Sequence, residues 1–381
     1  MNPVSNQACV VIVAGEASGD QHGAQLIKAM QEKNPALFFC GIGGTALRQA
    51  GVRILVDASE LTVVGITEVF SKLPGILKGM GIIKKLLRSL KPELLILIDF
   101  PDFNLHLAAT AKKIGIPVLY YISPQIWAWR RGRVKRIGRL VDHMAVILPF
   151  EQQFYTANHV AATFVGHPLL DAPLPTADQI FRTGGEGQVT IGLVPGSRDN
   201  EITRHLPVML NTAGILKDRL KQVRFIISHA ASVERKQIEM IVAEHPCRLN
   251  VEIISDGVET VFARSDVIVA ASGTVTLQAA IHGAPMVIIY KVSPISFILG
   301  RALIRVPNIG LVNLVAGRQL VPEFVQNAAS AENISSAVEK MLADRVQLNH
   351  LKKQLFALRD VLGGAGASDR VAELALGMLQ K

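Results

Sequence analysis

Short, continuous apolar runs recur along the chain and are separated by longer stretches with helical spacing. The first series predicts β-strands at residues 9–14, 37–41, 53–56, 94–98, 118–122 and 144–148. The stretches between them, such as 21–31, 76–90 and 104–113, predict helices. Because the strand runs are apolar throughout rather than alternating, both faces of the sheet should be covered, as in parallel α/β folds.

A second series of the same kind predicts strands at residues 189–194, 224–228, 251–254, 267–270 and 285–290. Residues 172–187, which are rich in proline and glycine, separate the two series and are interpreted as a linker. The pattern predicts two consecutive doubly wound domains, over residues 1–172 and 188–350. Such domains bind ligands at the carboxyl ends of their strands, so a ligand cleft is expected between the two sheets.

The composition indicates a folded chain with anionic partners. A length of 381 residues suits two domains, and 49% hydrophobic with 19% charged residues excludes global disorder or coiled coil. The three cysteines form neither a CxxC pair nor a disulfide framework. The net charge of +9 favours nucleotide phosphates, phospholipid head groups or nucleic acid without choosing among them. We read no signal peptide and no membrane-spanning stretch, which favours a soluble or peripheral cytoplasmic protein.

Two turns of the first domain carry candidate carboxylates. GEASGD, residues 15–20, opens the first helix, where Glu16 has no evident structural role and Ser18 or Asp20 fits an N-cap. DFPDFN follows the strand at residues 94–98, and its Asp99 is a candidate general base. For Asp102 and Asn104, helix capping is a strong alternative to a catalytic role. The chain has no D-x-D pair, so a metal-chelating pair is not indicated.

Three further segments of this domain leave interpretations open. GIGGTA, residues 41–46, fits the dinucleotide fingerprint but follows the second strand rather than the first, so a nicotinamide-dependent oxidoreductase is kept as an alternative. Residues 63–87 combine apolar residues with four lysines, which suits a membrane-interface face or a helical hairpin packed on its sheet. Residues 123–139 hold both tryptophans and fit an anionic lipid or phosphate site, nucleic-acid binding or a solvated helix face. Its six cations are Arg130, Arg131, Arg133, Lys135, Arg136 and Arg139.

Two turns of the second domain have the features of phosphate cradles. VPGSR follows its first strand and combines a glycine turn with a guanidinium at a helix start, without the Walker spacing. ASGT follows the strand at residues 267–270 and places small hydroxyl residues at a helix start, of which an N-cap role explains only one. The residues concerned are Gly196, Ser197, Arg198, Ser272, Gly273 and Thr274.

Ten segments stand out along the chain: AGEASGD, GIGG, DFPDFN, SPQIWAWRRGRVKRI, LPFE, FVGHPLLD, VPGSR, ASGT, PMVIIYK and NLVAG. In the order and spacing of these segments, from residue 14 to about 326, the chain resembles the lipid-A-disaccharide synthase family. The last 50 or so residues match only weakly. The WAWR block and the paired GEASGD and PGSR turns are the most specific part of the resemblance.

The resemblance implies a GT-B fold, in which two Rossmann-like doubly wound domains face a central cleft. The N-terminal domain would lie on the acceptor and membrane side, and the C-terminal domain would bind the UDP-sugar. The implied reaction joins UDP-2,3-diacylglucosamine to 2,3-diacylglucosamine 1-phosphate with inversion. It gives a β-1,6-linked disaccharide 1-phosphate and UDP, and requires no cofactor or metal.

The resemblance also implies a location and partners. The enzyme would be cytoplasmic and peripheral on the inner face of the Gram-negative inner membrane, docked on an anionic surface. Residues 351–381 would form helices that pack back on the N-terminal domain or are exchanged in a homodimer. Nucleic acid is not expected as a partner.

The same resemblance implies roles for individual residues. The family's catalytic aspartate falls on Asp99, the general base on the acceptor's 6-hydroxyl, with Asp102 as second choice and Glu16 in the active-site loop. The substrate-binding residues are Ser18, Gly196, Ser197, Arg198, Ser272, Gly273, Thr274, Gln278, Tyr290 and Asn313, with Arg198 on the UDP phosphates. Gln278 stands where the family pattern has a glutamate suited to the ribose hydroxyls, so a charge-assisted bond is lost.

Three other functions stay open at this point. Another GT-B enzyme, such as a UDP-N-acetylglucosamine 2-epimerase, shares the phosphate turns but needs no lipid face. An oxidoreductase would use residues 41–46, and a non-enzymatic nucleic-acid-binding protein would use the basic segment at 130–139.

Overall fold

The chain passes from one folded unit into a second and then returns to the first. The first unit combines Met1–Ala172 with Leu362–Lys381, and the second is Pro173–Val361. The structure is a computed structural model and describes residues 8–61, 68–129, 131–181, 188–293, 297 and 306–380.

Within the described residues, seven parallel strands form the sheet of the first unit, in the order β3-β2-β1-β4-β5-β6-β7. They are β1 (Cys9–Ala14), β2 (Phe38–Gly43), β3 (Arg53–Asp57), β4 (Leu94–Ile98), β5 (Val118–Tyr121), β6 (His143–Val146) and β7 (Ala162–Phe164). The helices are α1 (Ala17–Lys33), α2 (Thr45–Gln49), α3 (Glu68–Leu90), α4 (Pro101–Lys113), α5 (Ile126–Trp129), α6 (Val134–Leu140) and α7 (Pro149–Thr156).

The described part of the second unit has six parallel strands in the order β10-β9-β8-β11-β12-β13. They are β8 (Val189–Val194), β9 (Val223–Ser228), β10 (Val251–Ile254), β11 (Val267–Ala271), β12 (Met286–Tyr290) and β13 (Glu323–Val325). The helices are α8 (Ala177–Ile180), α9 (Asp199–Arg219), α10 (Arg235–Glu244), α11 (Val258–Arg264), α12 (Thr274–Ile281), α13 (Leu311–Ala316), α14 (Ala331–Ala343), α15 (Arg345–Phe356) and α16 (Leu358–Val361). The last helix, α17 (Ala367–Leu379), belongs to the first unit.

Helices cover both faces of the first sheet, which is why its central strands β1 and β4 are apolar throughout. Every residue of β1 and β4 is buried. Val11 and Val13 pack with α3 and α4 on one face, whereas Val10 and Ile12 pack with α1 and α17 on the other. Full burial of such a side chain contributes about 1.5–3 kcal/mol.

The returning C-terminal segment is fixed to the first unit by hydrogen bonds as well as by packing. The carboxylate of Asp171 accepts the N–H groups of Gly366, Ala367 and Ser368, at 2.7, 3.0 and 2.9 Å. These are amides at the start of α17, which have no partner within the helix. Arg370 Nε donates to the carbonyl of Val165 at 2.7 Å, so α17 is also bonded to the residue that follows β7.

The predicted α/β class with two doubly wound sheets is confirmed, and the predicted strands lie within two residues of the observed bounds. Sequence reasoning missed β7 and β13, which are edge strands of three residues each. Residues 63–67 of the predicted basic apolar segment, Arg130, and residues 182–187 of the predicted linker lie outside the described residues. Among the helices that the structure describes, none has the length and apolar character needed to span a bilayer.

Candidate active site

The turns that follow β1 and β4 lie side by side at the carboxyl edge of the first sheet. Ala14, at the end of β1, pairs with Ile98, at the end of β4. The strand order reverses between these strands, since β2 and β3 extend the sheet on one side and β5, β6 and β7 on the other. Open α/β sheets bind ligands at this reversal. Glu16 and Asp99 therefore flank the expected binding position.

Asp99 is held in a constrained turn. Asp99 and Phe100 have left-handed φ angles of 45° and 47°, a conformation that costs a residue with a side chain about 1–2 kcal/mol. Buried Asn104 Nδ2 donates to the carbonyls of Ile98 and Asp99, at 3.1 and 2.7 Å. The hydroxyl of buried Tyr120 donates to the Asp99 carbonyl at 2.6 Å. These bonds sustain the turn and fix Asp99 at the sheet edge.

The surroundings of Asp99 raise the pKa of its carboxyl group to about 6. Burial, which disfavours the charged form, is the larger cause, and the negative charge of Glu16 adds to it. A carboxyl group with a pKa near the operating pH can accept a proton and release it again at neutral pH. The electrostatics therefore suit a general base.

Asp102 lies in a different environment from Asp99. Its side chain is 74% exposed and forms an ion pair with Arg133 Nη2 at 2.7 Å. The pair ties the basic segment to the first turn of α4. Because the Asp102 carboxylate lies in solvent beside a cation, the geometry favours Asp99 as the proton acceptor.

The first turn of α1 presents polar groups beside Asp99. Glu16 is the N-cap residue, yet its half-buried side chain makes no capping hydrogen bond with the residues that the structure describes. Ser18 is exposed in the same turn. Both therefore lie in the turn that follows β1, at the β1–β4 reversal.

Asp20, which sequence reasoning offered as a cap of α1, instead caps α2. It is buried, and its carboxylate accepts the N–H groups of Gly44 and Ala46 at 2.6 and 2.9 Å. The interpretation as an α1 cap is wrong because the side chain reaches the neighbouring turn. The amides of the GIGGTA turn that a pyrophosphate would need are occupied by this carboxylate, which argues against the dinucleotide alternative.

The two predicted phosphate turns also lie on neighbouring strands. Val194 of β8 pairs with Ala270 of β11, and the strand order of the second sheet reverses between these strands. The VPGSR and ASGT turns therefore share the carboxyl edge at the reversal of this sheet. The structure brings together residues that are more than 70 positions apart in the sequence.

Glu201 organises the VPGSR turn. Its Oε2 accepts the Ser197 N–H at 2.9 Å, and its Oε1 accepts Arg198 Nη1 at 3.3 Å. Gly196 has a φ of 123°, and a side chain there would collide with Glu201, so both backbone and space require glycine. Arg198 is the N-cap residue of α9, and its side chain is 68% exposed. The turn offers a guanidinium to solvent.

Sequence reasoning missed His205, which links this turn to the end of β12. His205 is buried, and its Nε2 accepts the Lys291 N–H at 3.1 Å. Nδ1 therefore carries the proton and donates to the Pro195 carbonyl at 3.0 Å. Burial lowers the pKa of His205, which keeps this neutral tautomer. Its spacing four residues after Glu201 shows only that both lie on one helix face.

The ASGT turn presents Gly273 and Thr274 to solvent at the start of α12. Ser272 is half-buried, and its hydroxyl donates to the Ile309 carbonyl at 3.3 Å. One turn into the helix, Gln278 Nε2 donates to Glu259 Oε1 of α11 at 2.7 Å. A carboxylate of a neighbouring helix therefore lies beside Gln278, which the sequence did not suggest.

Tyr290 and Asn313 differ in what they offer a ligand. Tyr290 ends β12, and burial together with the charge of Glu201 raises the pKa of its hydroxyl. Asn313 is fully buried; its Nδ2 donates to Glu323 Oε1 at 2.7 Å, and its Oδ1 accepts the Leu320 N–H at 2.8 Å. These contacts give Asn313 a structural role, and its substrate contact stays a prediction.

A buried polar network supports the segment that carries the tryptophans. Trp127 Nε1 donates to Glu151 Oε1 at 2.9 Å, and the Leu148 N–H donates to Glu151 Oε2 at 3.1 Å. Burial raises the pKa of Glu151 to about 7. The hydroxyls of Ser123 and Tyr155 lie 2.7 Å apart. Trp127 is therefore a core residue here rather than a stacking surface, which argues against the nucleic-acid alternative.

The two parallel sheets, each flanked by helices, define an α/β protein of the GT-B fold class. The fold is similar to that of MurG from Acinetobacter baumannii, with a TM-score of 0.58 and 14% identity, covering 98% of this chain and 100% of that chain. It is also similar to that of a UDP-GlcNAc 2-epimerase from Neisseria meningitidis bound to UDP-GlcNAc, with a TM-score of 0.64 and 14% identity, covering 98% and 100%. At such identity the likeness shows the fold alone.

The sequence comparisons give the particular family. The family model described as Lipid-A-disaccharide synthetase matches residues 10–367. The lipid-A-disaccharide synthase of Syntrophus aciditrophicus is 47% identical over 99% of both chains, and that of Geobacter sulfurreducens is 46% identical over 98% of this chain and 97% of its own. The chain belongs to the lipid-A-disaccharide synthase family and is a glycosyltransferase of lipid A biosynthesis. The predicted family and GT-B class are confirmed, and the family is favoured over the epimerase alternative.

Proposed function

We propose that this enzyme joins UDP-2,3-diacylglucosamine to 2,3-diacylglucosamine 1-phosphate. The products are a β-1,6-linked disaccharide 1-phosphate and UDP, and the anomeric carbon is inverted. Membership of the family supports lipid A disaccharide synthesis. In our proposal the first unit binds the acceptor and the second binds the UDP-sugar.

The observation that carries the mechanism is the placement of Asp99. The acceptor's 6-hydroxyl is a poor nucleophile, so a neighbouring carboxylate must take its proton as the oxygen attacks the anomeric carbon. Asp99 lies at the strand-order reversal, and its pKa of about 6 leaves it mostly ionised at neutral pH. The new carbon–oxygen bond forms as the bond to UDP breaks, and UDP leaves with the electron pair.

The two turns of the second unit are proposed to hold the leaving diphosphate. Charge develops on it in the transition state, and a preorganised guanidinium and backbone N–H groups stabilise such charge. Arg198 is the proposed cation. Ser18 and Glu16 would line the acceptor side. The proposed contacts of the second unit are Gly196, Ser197, Ser272, Gly273, Thr274 and Tyr290. Gln278 would bind the ribose through its carbonyl oxygen, since its amide group is engaged by Glu259.

Helix α3 supports a peripheral position on an anionic inner-membrane surface. Leu77 is 63% exposed and Ile82 is 36% exposed, and Lys78 and Lys85 are exposed on the same helix. Apolar residues flanked by lysines suit the boundary between acyl chains and anionic head groups. A homodimer with exchanged C-terminal segments remains part of the proposal; Leu362–Lys381 packs on its own chain in this structure.

The deciding experiment compares Asp99→Asn with Asp102→Asn. Purified protein would be given both acyl sugars in detergent, with EDTA present, and UDP release would be measured. Both variants remove one carboxylate charge, three residues apart. Loss of a general base should lower kcat by about 10²–10⁴-fold in Asp99→Asn, whereas Asp102→Asn should stay within a few-fold of wild type.

The outcomes separate the parts of the proposal. Loss in Asp102→Asn alone would move the base to Asp102. Retained activity in both variants would remove the general-base mechanism but keep the reaction. Absence of UDP release from folded wild-type protein would refute the proposed substrates. Conversion of a water-soluble UDP-sugar without an acceptor would instead favour the epimerase.

A further inference from the structure

We infer that Glu201 is an internal occupant of the diphosphate site, which the diphosphate must displace in order to bind. The inference rests on the proposed function, because it takes the VPGSR turn as the diphosphate site. It concerns a residue that the reaction itself does not use.

Glu201 already fills the donors that an anion would take. Each of its two oxygens accepts one donor of the turn, Ser197 N–H at 2.9 Å and Arg198 Nη1 at 3.3 Å. The side chain also lies against the backbone of Gly196, where a Cβ would collide with it. A carboxylate with two oxygens on a backbone N–H and a guanidinium has the contacts of a bound phosphate.

The backbone of the turn has two supports besides Glu201. Ser232 Oγ donates to the Ser197 carbonyl at 2.7 Å, which holds the peptide between Ser197 and Arg198. His205 holds the Pro195 carbonyl at 3.0 Å. The turn is thus anchored at Pro195 and at Ser197, so Glu201 can leave without removing those supports.

Two anions cannot share these donors without repulsion, so diphosphate and Glu201 compete. Arg204 lies three residues further along α9, at the spacing where oppositely charged helical side chains meet. The charges of Glu201, Arg198 and Arg204 all act on the hydroxyl of Tyr290, which places them in one neighbourhood. At that spacing Arg204 offers Glu201 a second cation on the same helix when the diphosphate takes its position.

The competition lowers affinity for the diphosphate group in substrate and product alike. When the site is empty, the Glu201 carboxylate balances the positive charge of Arg198. After transfer, its return to the turn favours release of UDP. An exposed ion pair of this kind is worth little, so the effect should be moderate.

Calorimetric titration with UDP tests the inference on the full-length protein. Glu201→Gln keeps an oxygen for the Ser197 N–H but removes the charge. Its Kd for UDP should fall by about two- to tenfold relative to wild type. Its Kd for uridine, which lacks phosphate, should be unchanged. Glu239→Gln is the matched control, because it breaks another exposed helical ion pair, with Arg235 at 2.8 Å, and should leave UDP binding unchanged.

The results distinguish this inference from the proposed function. Equal or weaker UDP binding by Glu201→Gln, with wild type binding UDP, would overturn the inference and leave the proposed function in place. Equal tightening for uridine would also overturn it, since the effect would not concern the phosphates. No UDP binding by wild type would overturn the proposed function and the inference together. If Glu201→Gln does not fold, Glu201→Asp, which withdraws the carboxylate by one methylene, should also tighten UDP binding.

Discussion

Removal of the Glu16 charge should lower the pKa of Asp99 and make the enzyme more tolerant of acid. The pKa of Asp99 is raised from 3.8 to about 6, chiefly by burial and secondly by Glu16. A shift of about two pH units corresponds to about 3 kcal/mol against ionisation of Asp99 in its place. Because burial is the larger cause, Glu16→Gln should reverse only part of the pKa shift of Asp99, about half a pKa unit to one unit.

The assay is kcat/KM for UDP release from about pH 5 to pH 8, since this ratio reports ionisations of the free enzyme. Activity should fall on the acid side as Asp99 becomes protonated, because a protonated carboxyl group cannot accept the hydroxyl proton. In wild type the half-maximal point should lie at about pH 6. In Glu16→Gln it should move to lower pH, whatever the effect on the plateau.

Glu32→Gln is the matched control, since it removes the same charge from the exposed far end of α1. Sixteen residues of helix separate it from Glu16, about 24 Å at 1.5 Å per residue, which exceeds the screening length of about 8–10 Å. Its acid limb should match wild type. A Glu16→Gln limb that coincides with that of Glu32→Gln, or lies at higher pH, would refute the electrostatic coupling.

Two further predictions concern stability. Asp171→Asn should lower the free energy of unfolding by about 1–2 kcal/mol in urea titrations, because one of the two oxygens that cap α17 is lost; an unchanged midpoint would contradict the cap. Burial lowers the pKa of His167 from 6.5 to about 3, so the unfolded chain binds this proton more readily and acid favours unfolding. His167→Asn keeps an acceptor for the Leu169 N–H, donated to Nδ1 at 3.2 Å, but cannot be protonated. Wild-type stability relative to this variant should therefore fall by about 1.4 kcal/mol per pH unit between about pH 6 and pH 4, and parallel curves would count against the argument.

The fold class could be predicted from the sequence because most strands are continuous apolar runs separated by stretches with helical spacing. The apolar run LLILI predicted the strand at residues 94–98, and the carboxylate directly after it marked the turn at Asp99. The edge strands β7 and β13 could not be predicted, since three residues with little burial leave no periodic signal.

The candidate site could be predicted only in part, for a similar reason. Turn residues such as Glu16 and Arg198 stand out because they follow strands directly. His205 and Glu259 act from inside helices, where their spacing resembles that of any amphipathic face. Asp20 was misassigned because its hydrogen-bond partners lie 24 and 26 residues away, beyond any local pattern.

The return of the chain to the first unit has a consequence for the order of synthesis and folding. The last 20 residues complete the first unit, since Val371 and Ala375 of α17 are buried with Val10 and Ile12 of β1. The ribosome must therefore synthesise the whole of Pro173–Val361 before α17 is available to pack on the first sheet. The second unit is contiguous and can fold as soon as it emerges, because domains fold as units during translation. The first unit is thus begun before the second and completed after it, and loss of residues 362–381 would uncover Val10 and Ile12 in the first unit.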